Sequence, residues 1–363
     1  MRIAVTHSSK KGLLAEYMQR FGGHSDQAIP DDMFAEGDSQ ETIDAVIQTI
    51  QRLGHKVVGI EADNRVVQRL KAEKPQIVFN IAEGLFGDFR ESYIPMTCER
   101  LGIPYTGSDP LTLGICLNKS RTKEILSHYA IPNAPFRLIY PHEDIQARLE
   151  DFPFPAIVKP LSEGSSKGIF NDSVLFAPES AAEIIQKMFA KYQQPLVIEK
   201  FLDGKELTVA VWGNGDEVEV LPIVEICFDA LPSGAVPIYS YEAKWIWDRP
   251  EKPLNLFVCP ASLSLTAEKR VEAVVREAWQ VLGIKDWCRI DVRFDGEIPN
   301  ILEVNPLPGI LPKHEDNSCF PKAARTAGYS YGAMLEKIID IAVKRWGMKD
   351  AVRVPEAALA DCI

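Results

Sequence analysis

The sequence predicts an α/β protein in which a doubly wound parallel sheet is followed by two further lobes. Three observations lead to this prediction. Strands and helices alternate up to about residue 81, the length of 363 residues suits two or three domains, and prolines bracket a short strand at Ala156–Lys159. We therefore expect an N-terminal lobe, a small central lobe, a C-terminal lobe and a peripheral tail, at residues 1–115, 116–205, 206–348 and 349–363.

The hydrophobic pattern assigns each element of the first lobe. Short buried runs predict strands, and apolar residues at helical spacing predict the helices between them, in the order strand 3–5, helix 39–53, strand 57–60, helix 66–72 and strand 77–81. Residues 10–38 carry little periodicity and are expected to form a long loop, whereas 112–129 should form one helix bearing Lys119 and Lys123. In a sheet of this kind, ligands bind beyond the carboxyl ends of the strands.

Composition narrows the classes of function. The net charge is −11 and no Lys/Arg-rich run occurs, so nucleic acid is not an expected partner. No apolar run reaches about 18 residues and the N-terminus has no leader pattern, so we expect no membrane association. The seven cysteines are scattered without a C-x-x-C pair, which favours reduced thiols in the cytoplasm.

The segment CRIDVRFDGEIPNILEVNPLPG carries the clearest chemical signal. It contains two polar pairs at i, i+2 spacing, joined by a turn predicted at Asp295-Gly296: Arg289 with Asp291, and Glu303 with Asn305. On paired strands this spacing places three oxygen ligands and one guanidinium on one face, an arrangement that suits Mg²⁺ together with substrate phosphates. The alternative is a solvated face with a surface salt bridge, which the apolar residues between them disfavour.

Two earlier segments add weaker signals. In Lys159–Gly168 a strand ends on a lysine and runs into a loop of glycine and serine, which suits phosphate binding, although a flexible surface turn would look alike. It is not a Walker A loop. In Leu196–Leu202, followed by Glu206, a strand leads into a linker that could meet a purine and its ribose; alone, it is also typical of a sheet edge.

The order of these segments, with several others, resembles the ATP-grasp superfamily and, within it, the D-alanine–D-alanine ligase family. The similarity covers roughly Phe79–Trp346, and its strongest stretches are LGIPYTGSDPLTL with NKSRTK, IVKPLSEGSSKG, VIEKFLDGKELTVA, YSYEAK, WCRIDVRF, ILEVNPLPG and NSCFPKAARTAGYSY. The resemblance implies an ATP-grasp fold and an ADP-forming, ATP-dependent carboxylate–amine ligase that works through an acyl phosphate. It also implies ATP and two Mg²⁺ ions (or Mn²⁺), amino-acid or short-peptide substrates, and a homodimer.

The resemblance further implies roles for individual residues. Lys119 and Lys159 would hold the ATP phosphates, with Ser165 and Ser166 in a loop that closes over them and Lys244 at the γ-phosphate. Glu199, Lys200 and Leu202 would contact adenine and Glu206 the ribose. Asp291, Glu303 and Asn305 would bind the metals, Arg289 and the N–H of Gly309 would stabilise the oxyanion, and Ser318 would lie near the carboxylate of the acceptor substrate.

The chain departs from the family where the first amino acid should bind. The family's glutamate after the first strand is missing from Thr6–Gly12, and Trp245 replaces a tyrosine that is linked to that glutamate. Asp88–Glu91 replaces a Gly-Glu-Asp-Gly stretch. The acids that could take over the substrate's ammonium are Glu16, Glu83, Asp88 and Glu91, of which Asp88 and Glu91 are favoured; the alternative is that they are solvated surface acids.

Three functions therefore remain open from the sequence. One is a D-alanine–D-alanine ligase with a divergent pocket. The second is an amino-acid or peptide ligase that uses another acid, for example in secondary metabolism. The third is a regulatory protein that binds ATP without turnover, and it is disfavoured because the lysines and metal-type carboxylates are all present.

Overall fold

The computed structural model describes residues 1–22, 29–248 and 253–348 of the chain. It contains a three-stranded, a four-stranded and a six-stranded sheet, in chain order N-terminal, central and C-terminal. The predicted tail at 349–363 lies outside the described residues. The predicted lobe boundaries stay a prediction.

The N-terminal lobe is the predicted doubly wound parallel sheet. Its elements are β1 (Arg2–His7), α1 (Lys10–Phe21), α2 (Gln40–Arg52), β2 (Lys56–Glu61), α3 (Val66–Glu73), β3 (Ile77–Asn80), α4 (Tyr93–Leu101) and α5 (Pro110–Leu117). The strand order is β2-β1-β3, all parallel. Ile3 and Val5 of β1 pack on the α2 side, whereas Ala4 packs on the α3 and α4 side, so helices cover both faces.

One loop prediction and one helix prediction were wrong. Residues Lys10–Phe21 form α1 rather than a loop: Ser9 caps it by accepting a hydrogen bond from Gly12 N–H at 2.9 Å, but only Leu13 of the helix is buried. A helix that buries one residue leaves almost no apolar period in the sequence. The predicted helix 112–129 is broken at Asn118, whose extended backbone ends α5 and whose side chain caps the next helix by accepting from Arg121 N–H.

The central lobe is a small antiparallel sheet backed by helices. Its elements are α6 (Lys119–His128), β4 (Phe136–Ile139), α7 (Ile145–Leu149), β5 (Ala156–Pro160), β6 (Val174–Leu175), α8 (Pro178–Tyr192) and β7 (Leu196–Lys200). The strand order is β4-β7-β5-β6. Leu196 and Ile198 of β7 pack in the core beneath α7 and α8. Glu199, one residue later, points to the opposite face.

The C-terminal lobe is built on a larger sheet. Its elements are β8 (Glu206–Gly213), β9 (Glu219–Val220), β10 (Val224–Ile226), a π-helical segment (Glu242–Trp247), β11 (Phe257–Val258), α9 (Leu265–Val281), β12 (Asp286–Asp295), β13 (Ile298–Asn305), α10 (Cys319–Thr326) and α11 (Tyr331–Arg345). The order is β11-β10-β8-β12-β13, with β9 beside β8. Core residues of this sheet, α10 and α11 pack together with those of β1, β3 and α2, so the first and last lobes share one core.

The predicted hairpin is present as β12 and β13. Its turn lies on Gly296 and Glu297, one residue later than predicted, and Gly296 adopts φ 59° as such a turn requires. A register shift after Asp291 leaves Leu302 as the extra residue. Within the described residues no helix is long and apolar enough to cross a membrane. The six described cysteines are free thiols.

Candidate active site

A cavity of about 420 Å³ is lined by residues of all three lobes. Its wall includes most of the residues to which the sequence assigned a role: Lys119, Lys159, Ser165, Ser166, Glu199, Lys200, Leu202, Glu206, Lys244, Trp245, Arg289, Asp291, Glu303, Asn305, Gly309, Ser318, Glu83 and Glu91. Glu16, one of the four acids considered for the ammonium, is exposed and is not part of the wall. Asp88 is exposed and is not part of the described wall. Its predicted substrate contact is unsupported, because this stretch turns Arg90 inward instead.

The hairpin forms the floor of this cavity. Arg289 lies opposite Asn305 and Asp291 lies opposite Glu303, so all four side chains leave the same face. Arg289 Nη2 and Asn305 Nδ2 both donate to Asp291 Oδ2, at 3.0 and 3.3 Å. On the other face Ile290 and Val304 pack into the core. The apolar residues between the polar ones therefore fix which way the polar ones point.

Glu303 is held ionised by the cations around it. Its Oε1 lies 2.8 Å from Lys119 Nζ, and although burial alone would raise the pKa of Glu303, Lys119 and Arg289 bring it below the ordinary value. Within residues 1–22, 29–248 and 253–348 no group of three or more histidine, cysteine, aspartate or glutamate side chains is arranged to hold a metal ion alone. Asp291, Glu303 and Asn305 present oxygen atoms on one face of the hairpin, which suits a hard cation whose remaining ligands are phosphate oxygens and water.

Two buried lysines, Lys159 in the cavity wall and Lys123 behind it, pair with one carboxylate. Lys159 Nζ and Lys123 Nζ lie 3.2 and 3.4 Å from the same oxygen of Glu199, whose side chain is 1% exposed. Burial would raise the pKa of Glu199, but these lysines hold it below its ordinary value. The carboxylate of Glu199 thus pairs with two lysines. The contact with adenine stays a prediction, and it concerns the backbone of the linker at Leu196–Leu202.

The part of the cavity where adenine is predicted to bind is apolar. Ile157, Ile169, Ile226, Ile238 and Leu202 contribute to its wall. At the edge of this region Arg293 Nη1 lies 2.9 Å from Glu206. Burial raises the pKa of Glu206, and Arg293 opposes the shift. These side chains could contact the faces of a planar base, with the carboxylate of Glu206 beside it, and the order of adenine and then ribose stays a prediction.

The predicted phosphate loop closes over the cavity, and we call residues 161–168 the lid loop. Ser165 and Ser166 adopt φ 50° and 60°, a left-handed backbone that serine rarely takes. Lys244 Nζ lies 3.5 Å from Ser165 Oγ, and Ser166 Oγ donates to the carbonyl of Tyr239 at 2.8 Å. Burial and then Arg289 lower the pKa of Lys244. The predicted γ-phosphate lysine therefore lies directly against the lid loop.

Trp245 connects the three lobes at one point. Its Nε1–H donates to the carbonyl of Ser165 at 3.3 Å, and its ring lies 5.2 Å from Lys10 Nζ and 5.3 Å from Lys244 Nζ. Lys10, at the start of α1, also lines the cavity. Where the family has a glutamate–tyrosine link, this chain thus has a lysine–tryptophan cation–π contact.

The other end of the cavity is acidic. Asp38, Glu83 and Glu91 line it, and no described residue forms a salt bridge with them. Burial followed by repulsion from Glu36, Glu91 and Asp38 raises the pKa of Glu83 well above its usual value. Burial raises the pKa of Asp38 and of Glu91 to about 7, with Glu36 adding to the shift at Glu91. A cationic group would relieve this repulsion.

Sequence reasoning missed Lys10, Glu36, Asp38 and Arg90. The first three lie in the segment predicted to be a featureless loop, and the acidic run PDDMFAEGD was the only signal for two of them. Glu83 was named only as one of several acids.

At the far wall Ser318 donates to the carbonyl of Gly309 at 3.1 Å and accepts from Leu311 N–H, which ties the long 306–318 loop to α10.

Comparison with known proteins identifies the family. The family model "D-ala D-ala ligase C-terminus" matches residues 125–340. The D-alanine–D-alanine ligase of Actinobacillus succinogenes is 31% identical over 82% of this chain and 91% of its own length, and that of Glaesserella parasuis is 33% identical over 82% and 90%. The chain belongs to the D-alanine–D-alanine ligase family. It is therefore an ATP-dependent ligase with the ATP-grasp fold, as the sequence implied.

Two further relatives cover nearly the whole chain. The uncharacterised protein y4sG of Sinorhizobium fredii is 30% identical over 95% of this chain and 98% of its own length. The crystal structure of the D-alanine–D-alanine ligase of Bacillus anthracis complexed with ATP has a TM-score of 0.70 at 22% identity and covers 95% of this chain and 98% of that one. The similarity of fold to that ligase thus includes the N-terminal lobe, where the sequence departs from the family's pattern.

Proposed function

We propose that this ligase joins the carboxylate of one amino acid to the amine of a second, with consumption of ATP, in a reaction of the D-alanine–D-alanine ligase type. The observation that carries this proposal is that one cavity brings several charged and polar side chains together: Lys119, Lys159, Lys244, Arg289, Asp291, Glu303 and Asn305. A protein that only sensed ATP would not need an oxyanion stabiliser beside the metal ligands. The non-catalytic alternative is therefore disfavoured.

Each residue's role follows from the group that it presents. Lys119, Lys159 and Lys244 neutralise phosphate charge, and the N–H groups of the lid loop donate to phosphate oxygens. Asp291, Glu303 and Asn305 would hold Mg²⁺, which would neutralise the triphosphate; we propose two ions, and Mn²⁺ has the same preference for oxygen ligands. Ser165 and Ser166 orient the closed lid loop through Lys244 and the carbonyl of Tyr239.

The chemistry proceeds in two displacements. A carboxylate oxygen of the donor attacks the γ-phosphorus, the bond to the β–γ bridging oxygen breaks, and ADP leaves. The amine of the acceptor then attacks the acyl carbon of the resulting acyl phosphate; the C–N bond forms, the C–O bond breaks, inorganic phosphate leaves and the amine loses a proton. The guanidinium of Arg289 and the N–H of Gly309 stabilise the oxyanion between these steps, and one such donor is typically worth about 2.7–4 kcal/mol.

The donor's ammonium binds at the acidic end of the cavity. Glu83 and Glu91 are the carboxyls that a bound ammonium would help to ionise, in place of the family's glutamate after the first strand, a region where this chain presents Lys10. Loss of a charged partner costs about 1.5–3 kcal/mol, so an unchanged D-alanine pose would bind weakly. A donor other than D-alanine is the alternative that this substitution leaves open.

We further propose a cytoplasmic location, in keeping with the free thiols, and small molecules rather than nucleic acid as partners. A homodimer remains a prediction from the family resemblance.

ADP release across a substrate panel tests the proposed function. Purified protein with ATP and Mg²⁺ is given D-alanine, L-alanine, other amino acids and dipeptides, singly and in pairs, and ADP and ligated product are measured together. The proposal expects ADP and product in equal amounts for at least one pair. ADP release that no amino acid stimulates would overturn it.

A further inference from the structure

The lid loop is held from outside by a segment that the family resemblance does not account for. Residues 30–38, which we call the latch segment, connect the N-terminal lobe to both ends of the lid loop through two carboxylates, Glu36 and Asp32. Their side chains are 3% and 0% exposed, so neither is a solvated surface acid. Buried acids of this kind are rare unless they are paired.

Glu36 binds the first half of the lid loop. Its Oε1 accepts the N–H of Gly164 at 2.7 Å and lies 2.7 Å from Arg90 Nη2. Arg90 in turn donates to the carbonyl of Ser162 at 2.6 Å and lies 3.5 Å from Glu163, so it holds the same stretch of chain. A Cβ at Gly164 would lie 2.7 Å from this carboxylate oxygen, which shows how closely the side chain of Glu36 approaches the backbone of Gly164.

Asp32 binds the second half. Its Oδ2 accepts the N–H of Gly168 at 3.0 Å and the hydroxyl of Tyr192 at 2.6 Å, and Lys191 lies 3.2 Å from Oδ1. Gly168 has φ 76°, so glycine is suited to this end of the lid loop. The hydrogen bond from Gly168 is charge-assisted, like that from Gly164 to Glu36, and bonds of that kind are roughly twice as strong as neutral ones.

We propose that Glu36 and Asp32 are positioning residues that hold the lid loop closed over the phosphate end of the active site. Asp32 lies outside the cavity wall and Glu36 is part of it, but both act through the backbone of Gly164 and Gly168. Between these anchors lie Ser165 and Ser166 in their left-handed conformation, with Lys244 against them. Holding both ends keeps the serines and Lys244 in register and excludes water from the acyl phosphate. This inference rests on the proposed function of the lid loop.

Glu36→Gln and Asp32→Asn test the proposal. Each variant keeps the shape of the side chain and removes the charge. Loss of one charge-assisted hydrogen bond corresponds to about tenfold in an equilibrium constant. We expect faster hydrogen exchange of residues 161–168 in the nucleotide-free protein and about tenfold weaker binding of a non-hydrolysable ATP analogue with Mg²⁺. We also expect more ADP per ligated product, because water then competes with the amine.

Asp286→Asn is the matched control. Asp286 is also a fully buried carboxylate that accepts a glycine N–H, from Gly107 at 2.8 Å, and pairs with an arginine, Arg345 at 2.8 Å, but it lies outside the cavity wall. It should lower stability without changing exchange of the lid loop, affinity for the analogue or the ratio of ADP to product. Glu36→Asp keeps a carboxylate on a shorter side chain. It should bind the ATP analogue more tightly than Glu36→Gln does, whereas a purely steric defect would make the shorter side chain no better.

The outcomes separate the two proposals. Lid-loop exchange in both charge-removing variants equal to that of the parent protein would overturn the latch, whatever the nucleotide does. If the parent protein fails to bind the ATP analogue, the proposed function fails, and exchange in the nucleotide-free protein still tests the latch. If Glu36→Gln does not fold because Arg90 loses its partner, Asp32→Asn carries the test alone.

Discussion

The raised pKa of Glu91, at the acidic end of the cavity, predicts how Glu91→Gln changes the free energy of unfolding with pH. The pKa of Glu91 rises from 4.5 to about 7, first because of burial and then because of Glu36 and Glu303, against the opposing effect of Arg90 and Lys119. An acid whose pKa is raised on folding keeps its proton longer in the folded state. Ionisation of Glu91 therefore removes stability as the pH rises from about 4.5 to about 7, and the full loss applies above that range.

The size of the effect follows from that interval. At about 1.36 kcal/mol for each pH unit, the loss of stability over this interval is at most about 3.4 kcal/mol. Because glutamine cannot ionise, Glu91→Gln should gain stability relative to the parent protein by up to about this amount between pH 4 and pH 8. The pKa of Glu83 should also fall, since Glu91 is one of the charges that raise it.

Urea unfolding of the nucleotide-free protein at several pH values measures the effect. The difference in unfolding midpoint between Glu91→Gln and the parent should grow from pH 4 to pH 7 and then level off. Asp88→Asn is the control, because Asp88 is an exposed acid three residues earlier and its removal should leave the pH dependence unchanged. A Glu91→Gln variant whose midpoint follows that of the parent at every pH would refute the assignment of a buried carboxyl that forms no salt bridge within the described residues.

Three further predictions concern turnover, closure and the donor. Glu303→Gln should nearly abolish ADP release at saturating Mg²⁺ while the fold stays intact, because it removes a metal-binding charge. Near-normal activity would contradict the metal role. Glu297→Gln, on the exposed turn of the same hairpin, is the control. Hydrogen exchange of residues 161–168 should slow when an ATP analogue and Mg²⁺ bind, and unchanged exchange would count against a lid. D-alanine should be a poor donor. If D-alanine alone supports turnover with a kcat/KM of about 10⁴ M⁻¹s⁻¹, the altered pocket does not weaken the binding of D-alanine.

The parts of the site that lie on regular strands could be predicted from the sequence. Alternation along β12 and β13 decides which side chains share a face, so the sequence predicts that Arg289, Asp291, Glu303 and Asn305 lie together, as they do. The doubly wound sheet followed from the alternating strands and helices in the same way. The fold class was confirmed by the structures that the chain resembles.

The parts that depend on contacts between distant segments could not be predicted. Helix α1 buries only Leu13, so it leaves no apolar period to recognise. Glu36 acquires its role only because the fold brings it 2.7 Å from Gly164, which is 128 residues later in the chain. Asp88 and Glu91 look equally suitable in the sequence, and only the inward turn at Arg90 distinguishes the exposed acid from the one in the cavity.

Transfer of oxygen from the donor carboxylate to phosphate tests the central claim most directly. The donor of the most active pair in the substrate panel is labelled with ¹⁸O in its carboxylate, and the inorganic phosphate formed with ATP and Mg²⁺ is analysed by mass spectrometry. An acyl phosphate requires that the oxygen which attacks the γ-phosphorus leave with that phosphorus, so the account predicts one ¹⁸O in each phosphate released. Phosphate without ¹⁸O, formed alongside ligated product, would contradict it.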